Sequence, residues 1–342
     1  MSGMSRYAQA GVSIDAGQRA VELMAGAVRA TYGPEVLSNT SAFGGLYDAA
    51  GITRLAAPVL VASTDGVGTK TRVAARMGRW NTIGHDIVNH CANDILVQGA
   101  RPLFFLDYIA SAQIDPAIIA AIVQGAAQAC RAAGCALLGG ETAEMPGVYQ
   151  PGEIDLVGTV VGVVERTQII DGRRIQAGDS VLGLPSSGLH TNGYSLARAV
   201  FGDLDWNRTH PELDDSLGNV LLAPHRSYLD AVQTLWAASV DVRGLAHITG
   251  GGVVDNLPRI LAPDLGAVIR RGTWPEPPIF GLIERRGKIE SGEMFRVFNM
   301  GLGMLVVIPP DHAGRAIQAL SGAAFSVGEI VRGPHAVTVA AR

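Results

Sequence analysis

Apolar positions recur at helical spacing through Val21, Met24, Ala25 and Val28. With Asp15 and Gln18 ahead of them they predict a capped amphipathic helix ending near Gly33 and Pro34. Short apolar runs at 58–63, 102–109 and 136–139 read as strands, whereas 80–98 and 116–133 carry the helical period, the second opening on Asp115-Pro116. Segment 154–164 alternates β-branched residues with glycine and predicts another strand. The polar stretch 165–179 interrupts the pattern, and the domain boundary is placed there, giving domains 1–168 and 169–342. Beyond it the same style returns: a strand at 180–184, a polar loop, helices from Tyr194 and over 226–239, a loop at 247–252, and strands near 266–270 and 302–308. Both halves are expected to be α+β mixtures.

Composition narrows the class. A chain of 342 residues has room for about two domains, and 48% apolar against 17% charged residues excludes general disorder. A net charge of −4 lacks the broad positive field that nucleic acid or an anionic membrane surface requires, so neither is expected as a partner. Three cysteines, Cys91, Cys130 and Cys135, fit neither a disulfide scaffold nor a zinc site and are read as packing in a reducing cytoplasm. The opening seven residues have no signal-peptide core, and the apolar runs at 116–130 and 297–310 are too short to cross a membrane. Glycine stands out at 43 residues, clustered at the ends of strand-like runs, which suggests close backbone contacts to phosphate or nucleotide.

Five motifs could carry chemistry. Segment 63–70 (STDGVGTK) ends a strand in Asp65, Gly66, Gly68 and Lys70: backbone N–H groups and a mobile cation for phosphate, and a carboxylate for Mg²⁺. A tight turn with a surface ion pair is the plainer reading. The helix around 84–95 places Asp86, His90, Asn93 and Asp94 within one to two turns, either a ligand face or a solvated one. Segment 139–147 (GGETAEMPG) again follows a strand with glycines and acids, Glu141 among them. Segment 185–195 offers Ser187, Gly188, His190, Thr191 and Asn192 on a loop entering a helix, suited to a polar or phosphorylated small molecule, although His190 could equally be a core histidine. His247 precedes Gly250, Gly251 and Gly252, read as a backbone anion cradle. A Walker loop is excluded because Thr69 stands where the glycine before lysine belongs, and no Gly-x-Ser-x-Gly elbow is present.

These motifs, with YAQAGVSIDAG at the start, ANDILVQGA at 92–100 and FNMGLGM at 298–304, stand collinearly along nearly the whole chain. In that order the sequence resembles the phosphoribosylformylglycinamidine cyclo-ligase (AIR synthetase) family of purine biosynthesis. The resemblance implies a two-domain α+β fold. Its N-terminal domain would bind ATP and metal and supply strands to a β-barrel at a homodimer interface; its C-terminal domain would be an α/β sandwich, with ATP in the groove. It further implies ATP-driven ring closure of formylglycinamidine ribonucleotide, with Mg²⁺ held by Asp65, Asp94 and Glu141. By the same resemblance Lys70, His190 and His247 are catalytic, and Gly44, Gly45, Lys70 and Asn93 touch nucleotide. Gly66, Gly68, Ser187, Gly188, Thr191 and Asn192 then touch substrate. The stretch 38–42 is poorer in glycine than the family's closing loop. A kinase of the same superfamily, such as thiamine-phosphate kinase or selenophosphate synthetase, and a non-catalytic nucleotide-binding subunit are the competing readings.

Overall fold

The computed structural model describes residues 11–40 and 42–340. The first four residues of the motif that begins at Tyr7, and Ser41, lie outside that range. The chain forms two compact units, one comprising 1–95 and 100–167, the other 96–99 and 168–342.

In the first unit, helix α1 (Ile14–Arg29) is capped by Ser13, whose hydroxyl accepts from the Ala16 N–H; Asp15 falls inside the first turn rather than at the cap. Strand β1 (Pro58–Gly66) leads into α2 (Lys70–Met77) and α3 (Asn81–Leu96). After these come β2 (Arg101–Ser111), α4 (Pro116–Ala133), β3 (Ala136–Glu144) and β4 (Ile154–Glu165). Asp115 caps α4 through the N–H groups of Ala117 and Ile118, Pro116 opens it, and Gly134 closes it in the left-handed conformation. The strands form one sheet in the order β1-β4-β2-β3, parallel only between β2 and β3, the pair that α4 connects.

Four glycines of this unit serve the chain's own packing. A side chain on Gly158 would collide with Phe105 and Ile87, and one on Gly162 with Ile95, so the alternating glycines of β4 let α3 settle onto the sheet. Gly84 and Gly125 do the same between α3 and α4: a Cβ there would lie 2.0 Å from the Ile122 carbonyl and 1.9 Å from that of Asn81. The other face of the sheet is open, with Leu60 63% exposed.

The second unit is built on a six-stranded sheet, β12-β9-β11-β5-β10-β8, antiparallel except for β12 and β9. Its strands are β5 (Ser180–Pro185), β8 (Gly244–His247), β9 (Leu265–Arg270), β10 (Leu302–Ile308), β11 (Phe325–Arg332) and β12 (Val337–Ala340). A short hairpin, β6 (Thr209–His210) and β7 (Asp215–Ser216), stands apart. The helices are α5 (Tyr194–Val200), α6 (Leu217–Leu221), α7 (Leu229–Ala237), α8 (Gly252–Asn256), α9 (Pro278–Gly287), α10 (Ser291–Val297) and α11 (Ala313–Ala319). Register places the end of β5 beside the start of β10 (Pro185 opposite Leu302) and the end of β8 there too (His247 opposite Met304). Three distant segments therefore converge at one end of this sheet. The fold is α+β in two sheets, neither of which closes into a barrel among the described residues.

Candidate active site

In the first unit the end of β1 faces α3. His90 Nε2 lies 3.0 Å from Asp65 Oδ2 and 3.7 Å from Asp94 Oδ2, and the Ser63 hydroxyl donates to Asp94 at 3.1 Å. Burial opposes a charge on His90, but the Asp65 hydrogen bond and the charges of Asp94, Asp65 and Asp86 outweigh it and hold its pKa above the ordinary value. Two half-exposed carboxylates converging on one point are hard-oxygen donors of the kind Mg²⁺ takes. Asn93 is buried beside them in the sequence of α3. Gly66 closes β1, its N–H donating to Asp65, and Gly68 turns the chain with φ +66° into α2.

Lys70 is not the mobile cation expected from the motif. It opens α2 fully buried, with Nζ 2.8 Å from Asp86 Oδ1. Burial lowers its pKa, against the opposing pull of Asp86.

Glu141 stands elsewhere. The row Asp65, Gly158, Asp107, Gly140 crosses the sheet, and Glu141 lies one row on, opposite Tyr108. Three ladder steps separate β1 from β3, about 14 Å, and alternation turns Glu141 to the opposite face. Within one chain the three acids expected around a single ion do not converge. Glu141 instead lines a cavity of about 690 Å³ together with Gly44, Gly45, Tyr32, Met24 and Asp107. Gly45 is pressed against Leu138, whose Cγ would be 2.3 Å from a Cβ there. Burial pushes the Asp107 carboxyl up to about 7, and a side chain on Gly140 would meet its Oδ1.

In the second unit the loop after β5 carries Ser187, Gly188, His190, Thr191 and Asn192. Gly188 has φ +138° and His190 φ +61°, and Asn299 fixes the turn by donating to the Gly188 carbonyl at 2.8 Å while accepting from Ser186 and Gly301. His190 is fully buried; its Nε2 accepts from the Ser187 N–H at 3.2 Å. His247, at the end of β8, lies 3.0 Å from His225 through their Nε2 atoms. Ser187 is exposed and Asn192 half-buried, so both can meet a ligand. Of the triple glycine after His247, Gly252 is packed against protein: a Cβ there would lie 1.9 Å from the Phe295 carbonyl oxygen.

Family models match both units: AIR synthase related protein, N-terminal domain, over residues 47–164, and the C-terminal domain over 176–340. A phosphoribosylformylglycinamidine cyclo-ligase of Desulfitobacterium hafniense is 50% identical over 327 residues, covering 95% of this chain and 96% of its own. The chain belongs to the phosphoribosylformylglycinamidine cyclo-ligase family. The cyclo-ligase of Geobacillus thermodenitrificans is 49% identical over 96% of both chains. Cyclo-ligases share their fold with solved structures of low identity. Thiamine-monophosphate kinase from Stenotrophomonas maltophilia aligns with TM-score 0.69 at 19% identity over 93% of this chain and 95% of its own. The hydrogenase maturation protein HypE in complex with ATP aligns with TM-score 0.67 at 18% identity over 95% and 91%.

Asp107 and His225 were given no site role from sequence, and His90 was read only as part of a helix face that could be ligand or solvated. His90 sits one turn from Asp86 and from Asp94, a spacing that could have promoted it from helix face to site. Asp107 is an acid inside an apolar strand, itself a sign of a perturbed carboxyl. His225 carries no local signal, because it lies in the irregular segment between α6 and α7 and meets His247 only through the tertiary fold.

Proposed function

We propose that the protein closes formylglycinamidine ribonucleotide to 5-aminoimidazole ribonucleotide at the expense of ATP, releasing ADP and phosphate, as a step of purine biosynthesis. The carrying observation is half identity to cyclo-ligases across 95% of the chain. The kinase reading rests on fold likeness at 19% identity, which carries no activity with it.

Chemically, an amide oxygen is a poor leaving group. Transfer of the γ-phosphoryl group of ATP to the formyl oxygen makes it a phosphate leaving group; the amidine nitrogen then attacks that carbon, the carbon–oxygen bond breaks as inorganic phosphate departs, and the nitrogen loses a proton as the imidazole forms. Positioning and charge neutralisation are what the protein must supply. Asp65 and Asp94 would hold Mg²⁺, which when bound neutralises phosphate oxygens; Ser63 and His90 keep the two carboxylates oriented. Glu141, in the cavity with Gly44 and Gly45, would serve nucleotide or metal from a separate position. Ser187, Thr191 and Asn192 would offer hydroxyl and amide groups to the substrate, with Gly188 shaping their loop, and His247 would do the acid/base work. Lys70 would act on Asp86 and the turn of Gly66 and Gly68 rather than directly on phosphate.

We assign the cyclo-ligase to the cytoplasm as a homodimer. The open face of the first sheet, with Leu60 and Leu106 exposed, is an apolar surface of the kind a second copy covers, and two such sheets could close a barrel. Among the described residues no helix is long and apolar enough to cross a membrane.

The test is to mix the purified protein with formylglycinamidine ribonucleotide, ATP and Mg²⁺ and to look for the aminoimidazole product. Product formed in step with ADP is the expected result. Phosphate release without imidazole would leave the kinase-like reading standing instead.

A further inference from the structure

Three imidazoles, His190, His225 and His247, are buried in the second unit with ring nitrogens within 4.8 Å of one another. His225 lies between two groups. Its Nε2 is 3.0 Å from His247 Nε2, and its Nδ1 is 3.3 Å from the Thr191 hydroxyl oxygen. Its ring stacks on His190, centroids 4.0 Å apart and planes 24° from parallel.

Such a cluster could bind a transition metal or share protons, and the hydrogen bonds decide between them. The Ser187 N–H can only donate, so His190 Nε2 accepts, and a neutral ring then carries its proton on Nδ1. That leaves His190 no lone pair for an ion. Two remaining imidazoles fall short of the three protein ligands a zinc site ordinarily needs.

Between His225 and His247 the distance itself specifies a proton. Two facing lone pairs at 3.0 Å would repel, and two N–H groups would clash, so one nitrogen donates and the other accepts. If Thr191 donates to His225 Nδ1, His225 donates to His247, whose own proton then sits on Nδ1. If His225 donates to Thr191 instead, His247 holds its proton on Nε2 and presents Nδ1 as a base. The stack on His190 keeps the ring of His225 from turning away.

We propose that His225 is a positioning residue for His247, fixing which of its ring nitrogens carries the proton. The idea rests on the reading of His247 as the acid/base group of ring closure, since a proton-transfer group works only when the ring nitrogen facing the substrate is in the required state, protonated for an acid and bare for a base.

The test uses the full-length protein and two variants, His225→Phe, which keeps a ring in the stack and removes both nitrogens, and His225→Gln, whose amide can still meet His247. Ring ¹⁵N resonances of His247 are assigned by their loss in His247→Gln. In the wild-type protein one nitrogen of His247 should read as protonated and the other as bare. In His225→Phe the two should move toward averaged values, with kcat lower by about 10-fold and KM for both substrates unchanged. His225→Gln should recover the single tautomer and most of kcat. Unchanged His247 resonances in His225→Phe would overturn the proposal. So would a loss of kcat that follows melting temperature equally in both variants, or stoichiometric zinc in the purified protein that disappears with His225. The resonances need no turnover, so a wild-type protein without cyclo-ligase activity would defeat the proposed function while leaving the tautomer result intact. If His225→Phe does not fold, His247 nitrogens already averaged in the wild-type protein would overturn the proposal, and a single tautomer in both the wild-type protein and His225→Gln would support it.

Discussion

Lys70 Nζ and Asp86 Oδ1 meet at 2.8 Å with neither side chain exposed to solvent. The pair joins the first residue of α2 to α3, so it fixes the turn of Gly66 and Gly68 that precedes it. Removing one partner leaves the other charge buried without its counter-ion. Asp86→Leu is therefore expected to cost about 3–5 kcal/mol in a denaturant titration, and Lys70→Met combined with Asp86→Leu to cost clearly less than the two singles summed. Additive single losses would show that the two groups do not act as a pair.

Asp94→Asn keeps the shape of α3 and removes one charge from the proposed Mg²⁺ site. The variant should unfold at the wild-type midpoint within about 1 kcal/mol while losing about 10²-fold in kcat for ring closure. Wild-type turnover at saturating Mg²⁺ would remove Asp94 from that role.

Burial holds the Asp107 carboxyl protonated up to about 7, whereas in the unfolded chain it ionises near 3.8. A raised pKa means the folded state keeps its proton longer, so stability is lost as pH rises from 3.8 toward 7, and the full loss is in place above 7. Asp107→Asn escapes that loss. Its stability relative to wild type should be more favourable at pH 8 than at pH 5.5 by about 2 kcal/mol, measured by denaturant midpoints at the two pH values. An equal difference at both pH values would mean that Asp107 does not titrate in this way.

Gly252 has φ +60° and the Phe295 carbonyl oxygen where a Cβ would sit. Gly252→Ala should lower stability by about 1–3 kcal/mol or more, with or without nucleotide. If the glycine mattered only for an anion, the substitution would weaken nucleotide binding and leave the melting temperature where it was.

The regular elements with strong periodicity were legible in the chain: α4, between Asp115-Pro116 and Gly134, and the strands β1, β2, β4 and β5 lie where the pattern puts them. Segment 70–77 was not legible as helix, because Lys70 and the glycines before it have the composition of a phosphate loop. Strands β11 and β12 were also missed; Gly328 marks a register shift that breaks the alternation of β11. The site divides the same way. Asp65, Asp94, His190 and His247 sit in recognisable motifs, but the separation of Glu141 from Asp65 is set by strand order, and the partnership of His225 with His247 by where the segment between α6 and α7 packs against the end of β8. Neither leaves a trace in local spacing. The glycine signal pointed to ligands where close approach of helix, strand and side chain within the fold explains it, as at Gly84, Gly125, Gly158 and Gly252.

Asn299 uses one carboxamide to hold Ser186, Gly188 and Gly301 at once. Two of these anchors, at Ser186 and Gly188, leave the loop from Ser187 to Asn192 little conformational freedom to surrender when a guest arrives. An inhibitor cut to its contour would keep nearly all of its contact energy as affinity, and rigid heterocycles should outperform flexible chains of the same size there.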